Sequence, residues 1–317
     1  MYSILHHILE LVSTLGFLYV DQVLSFRGLC RSLYIYPIPI CKPEMHARVH
    51  SDQGCYYLGR HFASFANKHK SPMVLYVYAT WITKEGLRFL SELHLKALHL
   101  KCCNTVSEEG LYQLPKTLER LILSHCPCIT TLPPSFASHL VVLRIQECHN
   151  ITEPHRFLPK YTLLRKFEIS SFRASDAWVM ALPASPRLKT VILKHSHCLT
   201  DYGLQHLVLL PNVTSLELTR CTKITHASFP YIALLPLRKL VVRKCSLVTD
   251  QALTHIRTMH TLHELHVLKC NQITAEGLIK LQWEFEEIRI PESNGPTSKE
   301  SQLHIQNMVQ DANITLF

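Results

Sequence analysis

The sequence predicts an α/β solenoid, a curved parallel sheet with short returns between strands, led by an N-terminal helical segment. Three observations carry this. A phrase of the form LxxLxLxxCxxIT recurs at a near-constant interval, as in Val213-Thr-Ser-Leu216-Glu-Leu218-Thr-Arg-Cys221-Thr-Lys-Ile224-Thr225 and again around Leu240 and Leu265. The LxL core of the phrase has the period of a strand with one buried face. The segments after each phrase carry turn and helix-start residues instead of further strands.

Each apolar position of the phrase has a reason. The two residues of LxL point to one face, and the residues between and beside them point to the other. The first Leu, the Cys, the Ile and a later Leu, as in Gly277-Leu278, fill the interior. One unit cannot bury that interior alone, so stacked neighbours must close it.

The N-terminal residues 1–34 read as helical. Ile4, Leu5, Ile8, Leu9, Leu11, Val12 and Leu15 form an apolar pattern, and Val20–Leu33 holds a second one. The run Ile4–Val20 has no basic residue before it and is interrupted by Glu10, which argues against a signal peptide or a membrane span. Residues 35–72 read as a connector, because Tyr36-Pro-Ile-Pro and Lys42-Pro43 break helices.

The repeats are expected over 73–290, with strand centres at Leu75, Leu98, Leu121, Leu143, Phe167, Val191, Leu216, Leu240, Leu265 and Ile288, spaced 22 to 25 residues apart. Thr80, Phe172 and Ser196 stand where the Cys is expected in three of these units. Returns such as Asp201–Leu207 and Asp250–Ile256 read as short helices. Those holding Thr131-Leu-Pro133-Pro134 and Glu153-Pro154 read as irregular or 3₁₀. Residues 291–317 form a C-terminal cap, with a helix over Ser301–Asp311 and a last strand at Ile314-Thr-Leu316.

The chain has 317 residues and 12 cysteines, which in a secreted protein would suggest disulfides. Here Cys103, Cys126, Cys148, Cys221, Cys245 and Cys270 each fall five residues after the first Leu of their strand, so they read as a ladder of reduced, buried thiols. That implies a cytoplasmic or nuclear protein, or host cytoplasm for a secreted bacterial effector.

The Cys and Ile-Thr ending resembles the cysteine-containing class of leucine-rich repeat, typical of the F-box/leucine-rich-repeat family. Gly28-Leu29-Cys30-Arg31-Ser32-Leu33 resembles the last helix of an F-box, and Ile8-Leu9-Glu-Leu11-Val12 its first. The family's usual Leu-Pro opening is absent, and the gap between the two segments is longer than its pattern. The resemblance implies a substrate receptor of an SCF-type ubiquitin ligase. Ile8, Leu9, Val12, Leu29, Cys30 and Leu33 would then contact the Skp adaptor, and the repeats would hold the substrate. Two other readings stand beside it. The helices can be a plain cap over the first repeat. The chain can equally be a scaffold outside the ubiquitin system, including a bacterial effector acting in a host cell.

No P-loop, G-x-S-x-G or H-E-x-x-H is found, and no catalytic residue or cofactor is expected. His125-Cys126-Pro-Cys128 and His195-Ser-His197-Cys198 gather metal-ligand types, but without the paired spacing of a structural zinc site, so no metal is expected. A net charge of +9 suits an acidic protein, an anionic surface or nucleic acid, and the basic residues of successive strands make an acidic or phosphorylated protein the expected partner. Nucleic acid and membrane are not expected. Lys194, Arg220, Arg243, Lys244 and Lys269 come from successive strands and are expected in one concave row, with Lys239 nearby and Glu217 and Glu264 interrupting it.

Overall fold

The structure is a computed structural model, and it describes residues 17–19, 44–56, 58–59, 74–93, 95–279, 281, 287–290 and 314–316. The chain divides into two compact units, 1–152 and 153–317.

In the N-terminal unit, the strands are β1 (Phe17–Tyr19), β2 (Glu44–Val49), β3 (Val74–Thr80), β4 (Leu95–Lys101), β5 (Arg120–Ser124) and β6 (Val142–Gln146). Each pairs in parallel with the next. In the C-terminal unit, they are β7 (Lys166–Ser170), β8 (Thr190–Lys194), β9 (Ser215–Thr219), β10 (Lys239–Arg243), β11 (Glu264–Leu268), β12 (Glu287–Ile290) and β13 (Ile314–Leu316), again parallel and sequential. This is the α/β leucine-rich-repeat solenoid that the phrase predicts.

Two strands correct the sequence reading. β1 lies inside the segment read as helical, and β2 inside the segment read as a connector. In Glu44-Met-His-Ala-Arg-Val49, apolar Met45, Ala47 and Val49 alternate with polar residues, which is the strand period. The unit lacks the Leu and Cys of the phrase, and Pro43 just before it masked the pattern. The capping helix read over 301–311 lies outside the described residues, as do the F-box-like residues Ile8, Leu9, Val12, Leu29, Cys30 and Leu33.

The interior follows the phrase. Leu98, Leu121, Leu143, Leu216, Leu240 and Leu265 are at most 1% exposed, and the six ladder cysteines at most 2%. Burying one such Leu contributes roughly 1.5–3 kcal/mol. The six are free thiols. Each Sγ lies near the carbonyl two residues before it, as Cys126 near Ser124 O at 3.4 Å and Cys245 near Arg243 O at 3.5 Å. Five also reach a carbonyl of the preceding strand, as Cys221 to Leu193 O at 3.5 Å. The thiol thus satisfies a buried carbonyl while filling an apolar site. Burial pushes the Cys270 thiol up to about 11. The hydrogen bond that the Cys148 thiol donates to the Cys126 side chain, then burial, raises Cys148.

The residue just before each ladder position adopts positive φ. Trp81, Cys102, His125, Glu147, His195, Arg220, Lys244 and Lys269 all lie between 51° and 56°. This left-handed step ends the strand and turns the following side chain inward. The N–H groups of these residues still extend the ladder, as His195 N to Thr219 O and Arg220 N to Arg243 O, both 2.8 Å.

That step corrects two assignments. β3 shifts register between Leu75 and Tyr76, so Val77, not Leu75, lies opposite Leu98. The ladder residue of that unit is therefore Ile82, 1% exposed, and not Thr80. In the unit of Phe167 there is no left-handed residue, and the ladder arrives one position early. Ser171 is 4% exposed, whereas Phe172 is 46% exposed. Ala174 N donates to Ser171 O, as Ile151 N does to Cys148 O and Ile273 N to Cys270 O. Ser196 does replace the Cys, with Oγ donating to Lys194 O at 3.2 Å.

The returns follow local chemistry. Helices form at Asp201–Gln205 and Gln251–Ile256, while Pro134–Ser138 and Pro154–Arg156 are 3₁₀. Among the described residues, no helix is long and apolar enough to cross a membrane.

Candidate functional site

The outward side chains of the strands, with the left-handed residues that follow them, are the surface on which chemistry-bearing residues gather. On β10, Leu240 and Val242 face the core, so Lys239, Val241 and Arg243 face outward. The register puts Lys194, Thr219, Arg243 and Leu268 side by side at the last outward position of β8–β11. Adjacent strands are ~4.8 Å apart, so Lys194 and Arg243 stand two strands, roughly 10 Å, apart.

The five basic residues expected in one row therefore occupy two. Lys194 and Arg243 sit at the strand ends, and Arg220, Lys244 and Lys269 form the adjoining left-handed row on three consecutive strands. Arg220 and Lys269 are exposed, and Lys244 and Arg243 are half-buried. Among the described residues, none of these four forms a salt bridge. The Arg220 guanidinium, then solvent exclusion, then Lys269 and Arg243 hold the Lys244 ammonium below its ordinary value. Their positive charge is concentrated, with no carboxylate partner among the described residues.

Lys194 differs. Its Nζ lies 3.5 Å from Glu168 Oε1 and 3.2 Å from Glu217 Oε1. Glu168 is only 3% exposed, and Thr219 donates to Glu217 at 3.2 Å. Lys194 thus compensates two carboxylates on its neighbouring strands. Lys239 pairs with Glu264. The acidic residues read as interrupting the stripe are the partners of its lysines.

The two metal-ligand-rich stretches are split by the fold. Cys126 is buried in the ladder, while Cys128 is exposed and its Sγ donates to Asn104 O. His197 and Cys198 lie exposed after the buried Ser196, and His197 Nδ1 is 3.2 Å from Thr222 Oγ1. No group of three or more His, Cys, Asp or Glu able to hold a metal occurs among the described residues.

Against known proteins, the Leucine Rich repeat family matches residues 258–281, which hold β11, the Cys270 ladder position and the following helix. No curated protein matches the sequence. Among solved structures, a chain of the crystal structure of the Rad7 and Elc1 complex in yeast superposes with a TM-score of 0.54 over 94% of this chain and 78% of that one, at 14% identity. The chain has the leucine-rich-repeat fold. At that identity the likeness shows the fold alone.

The sequence reading missed residues on this leucine-rich-repeat surface. Glu168 was not weighed, although its place at the middle outward position of β7 was legible. Trp81, 67% exposed, was missed as an outward neighbour of Lys101 because β3 was read two residues out of register. Tyr78 lies between Arg48, 6.0 Å from its ring, and His99, 5.8 Å away edge-on. Burial, then Lys101, lowers the His99 pKa.

Proposed function

We propose that this leucine-rich-repeat protein is the substrate receptor of an SCF-type ubiquitin ligase. It performs no chemistry itself. Its N-terminal segment binds a Skp adaptor through Ile8, Leu9, Val12, Leu29, Cys30 and Leu33, and its repeats bind an acidic or phosphorylated protein substrate. The observation that carries the substrate side is the group Arg220, Arg243, Lys244 and Lys269, four cations with no carboxylate partner among the described residues. Side chains that crowd like charges this closely gain when a carboxylate or phosphate enters. The adaptor side is supported by the F-box-like segments and by a structural relative that is itself solved in complex with a second protein, Elc1. The reading places the protein in the cytoplasm or nucleus.

The test is a binding assay between the full-length chain and a purified Skp adaptor. Saturable binding at micromolar concentration, lost in Leu29→Asp, is expected. No binding at that concentration removes the ligase role and leaves a repeat scaffold that recognises acidic partners.

A further inference from the structure

The N-terminal unit carries a second charged face. At outward strand positions it has Arg48, Lys101, Arg120 and Arg144, and no carboxylate at any outward position of β2–β6 whose side chain is described. The C-terminal unit offsets its outward cations with Glu168, Glu217 and Glu264. Lys101 and Arg120 are exposed and form no salt bridge among the described residues.

Trp81 adds an apolar anchor. It is the most exposed aromatic among the described residues, at 67%, and its φ is 52°. Left-handed backbone disfavours a bulky side chain, and an exposed indole gains nothing from folding. The fold does not require Trp at this position, since Ile82 after it fills the core and the equivalent positions hold Cys102, His125 and Glu147. Exposed Trp beside basic residues is the composition of a protein-binding hot spot. Register pairs Thr80 with Lys101, so Trp81 leaves its strand ~4.8 Å from the strand that carries Lys101. The His50 ring lies 6.5 Å from the indole.

We propose that this face docks an acidic segment of a partner protein, with an apolar side chain seated on Trp81 and a carboxylate reaching Lys101. A single-stranded nucleic acid would need several open aromatic faces for stacking. Among the described side chains of this face, Tyr78 already has Arg48 over its ring and His99 against it, which leaves Trp81. The site goes beyond the charge-only contact proposed for the C-terminal unit, and it does not depend on that contact.

Two labelled twelve-residue peptides test it on the full chain by fluorescence polarisation, one alternating Glu and Leu and one alternating Glu and Ser. The Glu/Leu peptide should bind at least tenfold tighter. Trp81→Ala should remove that preference, and Lys101→Glu should weaken Glu/Leu binding by at least tenfold. Arg220→Glu with Arg243→Glu should leave the preference in place. Trp81 and Lys101 are both exposed, and unchanged thermal melting would show both variants folded. Equal binding of the two peptides, or a preference that survives Trp81→Ala, overturns the proposal. So does tighter binding of a twenty-residue oligothymidylate that is lost in Trp81→Ala, which would assign the face to nucleic acid.

Discussion

Asp176 accepts two hydrogen bonds from Thr200 of the next repeat, one from its backbone N–H and one from its hydroxyl, both 2.7 Å. The same clasp joins Asp52 to Thr83, Asp201 to Thr225 and Asp250 to Thr274. It satisfies a helix N-terminus from outside and locks one repeat to its neighbour. The carboxylate needs room, and Gly203 provides it. A Cβ there would lie 2.4 Å from Asp176 Oδ1, and one at Gly277 would lie 2.8 Å from Asp250 Oδ1. Three of the four clasps carry this Thr-x-x-Gly spacing, at Gly86, Gly203 and Gly277, whereas the Asp201–Thr225 clasp has Ser228 at that place.

Gly203→Ala should destabilise the fold by about 1–3 kcal/mol, since the carboxylate must move. Asp176→Ala should cost about 1–2 kcal/mol through the lost cap. In the double variant the clash is gone, so the two costs should fall short of additive by at least ~0.5 kcal/mol in urea unfolding. Strict additivity would show that the two residues do not touch.

The ladder thiols should resist alkylation in the native protein, while Cys128 and Cys198 react, because among the described cysteines only those two are exposed. Mass spectrometry of briefly labelled protein reads this directly. Cys221→Ser should cost only about 1 kcal/mol, because Ser196 already holds the equivalent position with its hydroxyl bonded to Lys194 O. Rapid labelling of Cys221 or Cys245 would contradict the buried ladder.

Stability should also fall in alkali. Burial keeps the Cys270 thiol protonated in the folded chain up to about 11, against an ordinary 9.0. The folded state therefore binds more protons than the unfolded state between those pH values, and stability declines as pH rises through that window. The loss from this residue should be roughly 2–3 kcal/mol. Cys270→Ala should flatten that part of the profile in thermal melts, and an unchanged slope would contradict it.

Phe172→Ser should change stability by no more than about 0.5 kcal/mol, as an exposed residue does. If Phe172 were the interior residue that its position in the phrase suggests, the cost would be about 3–5 kcal/mol. Urea unfolding separates the two outcomes.

The phrase made β4 to β11 and the six-cysteine ladder legible, because Leu, Cys and Ile recur at fixed places that only stacking explains. It did not reveal β2, whose apolar residues are Met45, Ala47 and Val49 in place of Leu. Nor did it reveal the one-residue contraction at Ser171, since a missing left-handed residue leaves no mark on the apolar pattern. Of the basic residues, Arg220, Lys244 and Lys269 were placed by the repeat, and Arg243 beside them. Lys194 was placed in the row of Arg243, but its pairing with Glu168 and Glu217 was not legible, because lateral ion pairing is invisible along one strand. Trp81 was hidden by the register shift in β3.

The most direct measurement of the acidic-partner reading uses the Glu/Ser peptide, which has charge but no apolar anchor. Its affinity for the full chain should fall at least tenfold in Arg220→Glu with Arg243→Glu, and also on raising salt from about 50 to 500 mM. Reversal of Lys84 and Lys116, which lie off the strands, should change it less than twofold. Equal loss from both pairs would show that only net charge matters. No loss from either would place the binding site away from the basic rows and contradict the account.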